Sequence, residues 1–175
     1  MGLKFAILDT NILDYGFKPE YAKSVSEFIE ALSKDYDIVT TQFSRFELFR
    51  GMASAKIPMA KSFFDTFSCF DITGDVFKIA AALSTCYKND ETTKSRASSF
   101  SDGDIIIGAA GFVNDAVIIT SDLNDFPRPY FTESSRKYPN LNSTKKKNSF
   151  IAVGVLEPNV SYLNENISKH YPPTE

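Results

Sequence analysis

The sequence predicts an α/β fold, a three-layer α/β/α sandwich with a mostly parallel central sheet. Short apolar runs, typical of buried strands, alternate with longer segments whose apolar residues recur at helical spacing. Polar and acidic residues follow the apolar runs, where strands of a parallel sheet end. A length of 175 residues with 43% hydrophobic content suffices for one sizeable core. We therefore expect a single domain over residues 1–175.

The first half of the chain predicts strands separated by amphipathic helices. Strands are expected at 5–8, 37–40 and 69–72, where short apolar runs meet polar residues. Pro19 and Pro58 lie near predicted helix starts, where proline is tolerated. Helices are expected over 21–32, 43–52, 58–67 and 75–87. This half therefore alternates between the two kinds of element.

The second half begins with a polar stretch, 89–101, that predicts a loop. A helix is expected over 104–113, with Asp102 as its cap and Asp104 in its first turn, where the helix dipole favours negative charge. Strands are expected at 117–120 and 150–156. Between these strands, residues 128–149 read as a basic insertion.

The basic insertion carries a local charge of +5, whereas the whole chain has a net charge of −3. Because phosphate backbones attract cations, this segment is the candidate nucleic-acid contact, with Tyr130, Phe131 and Tyr138 as stacking partners. A solvated polar loop is the alternative. The candidate nucleic-acid-binding residues are Arg128, Lys145, Lys146 and Lys147.

Composition excludes several classes of protein and site. The chain has no apolar run of membrane-spanning length and no signal-peptide pattern at its start, so we expect a cytoplasmic protein. Cys69 and Cys86 lack metal-ligand spacing and predict reduced thiols. The single histidine, His170, argues against a histidine-rich zinc site or a Ser/His/Asp triad.

Four acidic residues stand beside buried elements, where a rigid scaffold would aim their carboxylates into a shared cleft. They are Asp9, Glu47, Asp104 and Asp122. Carboxylates brought that close repel one another, and their pKa values rise unless a cation neutralises them. Oxygen ligands suit Mg²⁺ or Mn²⁺, and phosphodiester hydrolysis is the chemistry that such a site performs best.

Each acidic residue also has a simpler interpretation. Asp9 could form a local turn after its strand, and Glu47 could pair with Arg50 on an exposed helix face. Asp102 and Asp104 could serve the helix dipole. Asp122 and Asp125 could shape the turn before Pro127. These simpler interpretations account for single acids better than for the arrangement of all four beside buried elements.

The motifs around these residues resemble those of the PIN-domain nucleases, a family that includes the VapC-type toxins of toxin–antitoxin pairs. The resemblance covers residues 3–127 and resumes over 151–162. The residues that carry it are Ile7-Leu8-Asp9-Thr10-Asn11, Glu47 on a helix, Asp104-Ile105-Ile106-Ile107-Gly108-Ala109-Ala110 and Ile119-Thr120-Ser121-Asp122-Leu123-Asn124-Asp125-Phe126-Pro127. The chain departs from the family's pattern in its basic insertion and in Gly108, where alanine is common.

The resemblance implies a metal-dependent endoribonuclease whose catalytic quartet is the four acids named above. By this likeness, Asp9, Asp104 and Asp122 would hold Mg²⁺ or Mn²⁺, and Glu47 would position water. The accessory residues would be Thr10, Asn11, Asp102, Thr120 and Asp125. An RNA substrate, a cognate antitoxin and a homodimer are the partners that the resemblance implies.

Two other functions remain open at this point. A catalytically silent PIN-fold module would keep the fold and bind RNA or a protein partner. A phosphatase of the haloacid dehalogenase type would also begin with a strand ending in aspartate, but it requires a second acid where Asn11 stands. Metal-dependent cleavage would separate the nuclease from the silent module.

Overall fold

Eight strands are present in the computed structural model of the chain, which describes residues 2–145 and 149–171. The strands are β1 (Lys4–Leu8), β2 (Tyr36–Thr41), β3 (Ser68–Phe70), β4 (Val117–Thr120), β5 (Phe131–Glu133), β6 (Leu141–Asn142), β7 (Phe150–Ile151) and β8 (Gly154–Pro158). Six of them form one sheet in the order β3-β2-β1-β4-β8-β5. Strands β6 and β7 form a separate antiparallel pair.

The central sheet is parallel from β3 through β2 and β1 to β4. Strand β8 runs antiparallel to both β4 and β5 at the other end of the sheet. Connections through helices allow the parallel pairings, because a parallel neighbour requires the chain to cross over the sheet. The predicted α/β class with a mostly parallel central sheet is confirmed.

Seven α-helices lie between or after these strands in the described ranges. They are α1 (Thr10–Gly16), α2 (Ala22–Leu32), α3 (Gln42–Gly51), α4 (Ile57–Phe64), α5 (Gly74–Asn89), α6 (Asp102–Val113) and α7 (Val160–His170). Every helix predicted from apolar spacing is present, with its ends shifted by no more than three residues. The seven-residue α1 and the largely polar α7 were not predicted, because neither shows a long apolar period. None of the helices described here has the length and apolar character needed to cross a bilayer.

The two faces of the sheet bury separate clusters of apolar side chains. In β1, Ala6 and Leu8 face a cluster completed by α1 to α4, whereas Ile7 faces a cluster completed by α5, α6 and α7. Alternate residues of a strand point to opposite faces, so a buried strand needs apolar residues throughout. The sheet is thus covered on both sides, as the expected three-layer arrangement requires.

The last predicted strand, 150–156, is wrong as a single element. Residues 150–151 form β7 beside β6, and only β8, from Gly154, joins the central sheet. The apolar run is continuous in sequence, but its two ends pair with different strands. Pairing with a distant strand, and not local composition, decides where each strand stops.

The interpretation of Tyr130 and Phe131 as exposed stacking partners is also wrong. Both rings are fully buried, and Phe131 begins β5, which pairs with β8 at the edge of the central sheet. Tyr130 packs edge-on against Tyr87 of α5 at 4.9 Å between ring centroids. The large apolar area of these rings therefore fixes the start of the basic insertion to the core.

Gly108 of α6 packs closely against Phe131 of β5, so the helix and the strand approach each other at this position. A Cβ added at this position would meet Cζ of Phe131 at 3.0 Å. Because Phe131 is 1% exposed, its ring has little room to move. The departure from alanine at Gly108 thus has a packing reason.

We predict that Gly108→Ala lowers the free energy of unfolding by about 1 kcal/mol, because overpacking of about 1–3 kcal/mol outweighs a helix-propensity gain of about 1 kcal/mol. Urea denaturation measures the change. Gly51→Ala is the matched control, since a Cβ at this helical glycine meets nothing within 4 Å and the substitution should stabilise. Stabilisation by both substitutions would contradict the packing argument.

Candidate active site

Asp9 and Thr120 are brought together by the parallel pairing of β1 with β4. Asp9 follows the last residue of β1, and its backbone N–H donates to the carbonyl oxygen of Ile119 at 3.0 Å. The Thr120 hydroxyl then donates to Oδ2 of Asp9 at 2.8 Å. The same hydroxyl accepts the backbone N–H of Asp122 at 3.0 Å. The sheet therefore fixes the relation between Asp9 and the loop that carries Asp122.

Thr10 and Asn11 hold the Asp9 carboxylate from the other side. The Thr10 N–H donates to Oδ1 of Asp9 at 2.6 Å, so Asp9 caps α1. The Asn11 amide donates to Oδ2 of Asp9 at 2.7 Å, and its carbonyl accepts the Ser121 N–H at 3.1 Å. Asn11 thus ties the ends of two strands together, at the position where a dehalogenase-type phosphatase would need an acid.

Glu47 lies beside the same cluster, halfway along α3. Its Oε2 accepts a hydrogen bond from the Thr10 hydroxyl at 2.7 Å. Its Oε1 lies so close to α6 that a Cβ on Gly103 would come within 2.7 Å of it. Arg50 does not pair with Glu47 in the described structure; its guanidinium lies over the Phe46 ring, 5.6 Å from the centroid. The simpler interpretation of Glu47 as a surface ion pair is therefore wrong.

Asp104 stands in the first turn of α6, capped by a residue that the sequence did not single out. Ser101 is the N-cap, and its hydroxyl accepts the Asp104 N–H at 3.1 Å. The Asp104 carboxylate in turn accepts from the Ser101 hydroxyl at 2.6 Å and from its N–H at 3.2 Å. The prediction that Asp102 caps this helix is wrong, because the shorter Ser101 side chain one residue earlier completes the reciprocal pair.

Burial and repulsion by neighbouring carboxylates raise the pKa of Asp9 to about 7. Burial contributes most, and the charges of Asp104 and Asp125 add to it, against the hydrogen bonds from Thr120 and Thr10. The pKa of Asp125 rises to about 6, chiefly by burial and then through Asp104 and Asp122, while Arg96 opposes the rise. The carboxylates therefore share one electrostatic environment, to which Asp125 also belongs.

The donor chemistry of this cluster fits a hard divalent cation, since every candidate ligand is a carboxylate oxygen. As the side chains stand, no three His, Cys, Asp or Glu residues in the described ranges are close enough together to hold one ion. Each carboxylate instead accepts local hydrogen bonds: Asp104 from Ser101, Glu47 from Thr10, and Asp122 from the Asn124 N–H at 3.0 Å. A bound cation would have to replace some of these contacts.

The cations of the basic insertion mostly face acids of the fold. Arg128 and Lys137 both pair with Glu133, Arg136 pairs with Asp35, and Lys145 pairs with Glu20. Lys146 and Lys147 lie outside the described residues. Because most of these charges have a neighbouring carboxylate, the segment presents less free positive charge than its composition indicates.

Arg96 is a candidate functional residue that the sequence analysis did not identify, because it is one cation within a polar stretch. It stands in a short 3₁₀ helix, Lys94–Ser99, inside the predicted loop. Its guanidinium donates to the Asn124 carbonyl oxygen at 2.6 Å and lies over the Phe100 ring. A positive charge is thereby held against the loop that carries Asp122 and Asp125.

The chain is similar in sequence to Ribonuclease VapC19 of two Mycobacterium tuberculosis strains. The identity is 25% over 121 residues, which cover 69% of this chain and 91% of that protein. No protein-family model matches the chain.

Two solved structures share the fold. A chain of a toxin–antitoxin complex from Klebsiella pneumoniae aligns with a TM-score of 0.54 and 22% identity, covering 71% of this chain and 92% of that one. A chain of VapBC2 from Rickettsia felis, bound to a DNA fragment from its promoter, aligns with a TM-score of 0.53 and 15% identity, covering 70% and 90%. The resemblance to PIN-domain, VapC-like proteins drawn from the motifs is confirmed by these likenesses and by the sequence match.

We predict that Asp9→Asn stabilises the metal-free protein at pH 8. A raised folded-state pKa means that ionised Asp9 opposes folding above pH 7, and that this cost disappears as the pH falls toward the unfolded value near 4. A shift from 3.8 to about 7 corresponds to about 4 kcal/mol at about 1.4 kcal/mol per pKa unit. Because an Asn side chain has a single accepting oxygen, it cannot accept all the hydrogen bonds that Thr10, Asn11 and Thr120 donate to the carboxylate, so the gain at pH 8 should be about 1–3 kcal/mol. Thermal unfolding in EDTA at pH 8 and pH 5 measures it. A difference between variant and wild type that does not shrink at pH 5 would contradict the argument.

Proposed function

We propose that this chain, which resembles the PIN-domain nucleases and VapC ribonucleases, is a metal-dependent endoribonuclease. The observation that carries the proposal is the buried Asp9 carboxylate, whose pKa is raised by burial and by the charge of Asp104. Such a carboxylate costs stability in the absence of a cation, and strongly shifted groups cluster at functional sites. The likeness to Ribonuclease VapC19 supports RNA as the substrate.

Asp9, Asp104 and Asp122 are the residues that would hold Mg²⁺ or Mn²⁺. When bound, the cation would activate water and stabilise charge on the phosphate during in-line displacement. Glu47, held by the Thr10 hydroxyl, would orient the attacking water. Asn11 and Thr120 would keep the Asp9 carboxylate in one orientation, because both donate to its Oδ2.

Asp125 takes a larger part in this proposal than an accessory residue would. It is half-buried, and its pKa is raised to about 6, chiefly by burial and then by the charges of Asp104 and Asp122. A carboxylate in that position would compete with Asp104 and Asp122 for a bound cation or for protons. We therefore propose that it helps to hold the metal.

A catalytically silent module is the second candidate, favoured by one specific observation. The described carboxylates accept hydrogen bonds from hydroxyls and amides and do not converge on one ion-sized site. A protein that never bound metal would show this arrangement. Metal-dependent cleavage of RNA by the wild-type chain distinguishes the two functions.

A protein partner follows from the same likeness. Both structural neighbours are chains of toxin–antitoxin complexes. We propose that this chain pairs with an antitoxin whose segment enters the acidic cleft, where an arginine would neutralise the carboxylates that the metal otherwise neutralises. Such binding would block cleavage without a change in fold.

We predict that wild-type protein cuts a mixed pool of structured and single-stranded RNA in Mn²⁺ or Mg²⁺ but not in EDTA, and that Asp104→Asn lowers the rate at least about 100-fold by weakening the metal site. Gel analysis of the products measures both. Asp115→Asn is the matched control, since Asp115 is an exposed aspartate paired with Lys4 and Asn also tolerates its positive φ of 47°. Equal rates in Asp104→Asn and wild type would remove Asp104 from the site, whereas wild-type protein that cuts nothing would favour the silent module.

We predict that a small DNA-binding protein is encoded directly upstream of this chain and that it suppresses the cleavage when the two are co-expressed. Co-purification of the pair, followed by the same RNA assay, measures the effect. Absence of such a reading frame would favour a stand-alone nuclease.

A further inference from the structure

A cavity of about 270 Å³ lies next to the carboxylate cluster, on the β4 side of the sheet. The 3₁₀ helix Lys94–Ser99 and the loop after β4 form its walls. Its lining includes Thr92, Arg96, Phe100, Leu123, Asn124 and Arg128. Leu123 and Asn124 lie between Asp122 and Asp125 in the chain, so one wall of this cavity is the loop that carries two of the proposed metal ligands.

Arg96 supplies this cavity with a positive charge that lies near Asp125 but is not held in a salt bridge in the described part of the chain. Within residues 2–145 and 149–171, Arg96 forms no salt bridge, and the one hydrogen bond of its guanidinium is the donation to the Asn124 carbonyl oxygen. A guanidinium has five N–H donors in a planar fork, so most of them are left for an anion. The Phe100 ring beneath it, 5.4 Å from the guanidinium carbon, limits the directions in which the fork can point.

Arg128 lines the same cavity, and its one salt bridge among the described residues, to Glu133, is exposed. It pairs with Glu133 at 2.9 Å, and its side chain is 75% exposed. Exposed ion pairs contribute little to stability and exchange readily for a phosphate, which binds arginine in the same forked geometry. The two arginines therefore give the cavity an anion-binding character beside a cluster of acids.

A second cavity, of about 520 Å³, lies on the other side of the cluster. Thr10 and Glu47 line it together with Lys18 and Lys56. The sheet order places α3 after β2, α1 after β1 and the Asp122 loop after β4, so the two cavities flank the carboxylates along the sheet edge. A chain laid over the cluster would pass from one cavity to the other.

We propose that the cavity with Arg96 and Arg128 is the subsite for the nucleotide next to the scissile phosphate of single-stranded RNA. This inference rests on the proposed function and names how the substrate is held. A polyanion approaching the acids is repelled unless cations stand beside its path. Arg96 and Arg128 hold the flanking phosphate, and the space between them and Leu123 accommodates the attached nucleoside.

The test measures the affinity of a fluorescently labelled single-stranded RNA of mixed sequence for the Asp104→Asn chain, which binds without cutting. Arg96→Gln should raise Kd about fivefold and Arg128→Gln about threefold at 0.1 M salt, as lost charge-assisted contacts to phosphate. Each should reduce the slope of log affinity against log salt by about 0.7, the value for one phosphate contact on a single strand. Arg136→Gln is the matched control, because Arg136 is also an ion-paired arginine of the basic insertion but does not line the cavity.

Arg96→Lys distinguishes the effect of the charge from the positioning of the loop. This variant should have the wild-type salt slope, since the positive charge remains. If Arg96 acted only by holding the loop through the Asn124 carbonyl, Arg96→Gln would also keep the wild-type slope. Melting temperatures of all variants check that the exposed substitutions preserve the fold.

The outcomes distinguish this subsite from the proposed function. Equal Kd values and slopes for Arg96→Gln and Arg136→Gln, in a wild-type chain that cuts RNA, would overturn the subsite and leave the nuclease. A defect confined to Arg96→Gln and Arg128→Gln, in a wild-type chain that cuts nothing, would support this cavity as an RNA-binding site and overturn the nuclease.

Discussion

Asp9 follows β1 with 3% of its surface exposed, so its carboxylate is removed from water at the edge of a sheet that is itself buried. The parallel register that pairs Leu8 with Ile119 places the Thr120 hydroxyl on this carboxylate. Without the hydrogen bonds from Thr10, Asn11 and Thr120, burial of the ionised Asp9 carboxylate would cost too much free energy. The positions of Asn11, the Asp122 loop and the start of α1 all follow from satisfying Asp9.

Glu47 and Asp104 lie near Asp9 because the helices that carry them begin at the same edge of the sheet. Gly103 has no side chain, and Glu47 fills that space between α3 and α6. Each carboxylate is satisfied by a hydroxyl or amide that can be exchanged, as Asp104 is by Ser101. The protein thus tolerates a carboxyl group whose pKa is raised by burial and by the charges of Asp104 and Asp125, a cost in stability of the kind common at functional sites.

The distribution of cations around this cluster matters more than their number in the sequence. In the insertion, Arg136 and Lys145 contact acids of the fold, and the buried Tyr130 anchors the segment to the core. Arg96, a single residue in a polar stretch, keeps its charge beside the acids without a paired carboxylate in the described structure. A cation's position relative to the sheet edge is therefore a better guide to a candidate RNA contact than the number of cations in its segment of the sequence.

The sequence by itself indicated strands β1 to β4, most of the helices and the chain order of the four candidate acids, because hydrophobic period and strand-end chemistry depend on near neighbours. It did not indicate β5 or β6. It could not determine that Ser101 and not Asp102 caps α6, that residues 150–156 divide between two sheets, or that Arg96 lies beside the cluster. The cap depends on side-chain geometry between Ser101 and Asp104, three residues apart. The other two features depend on strand pairing and hydrogen bonds between residues far apart in the chain. Only tertiary structure brings those partners together, so only it decides which charges are buried and which are paired.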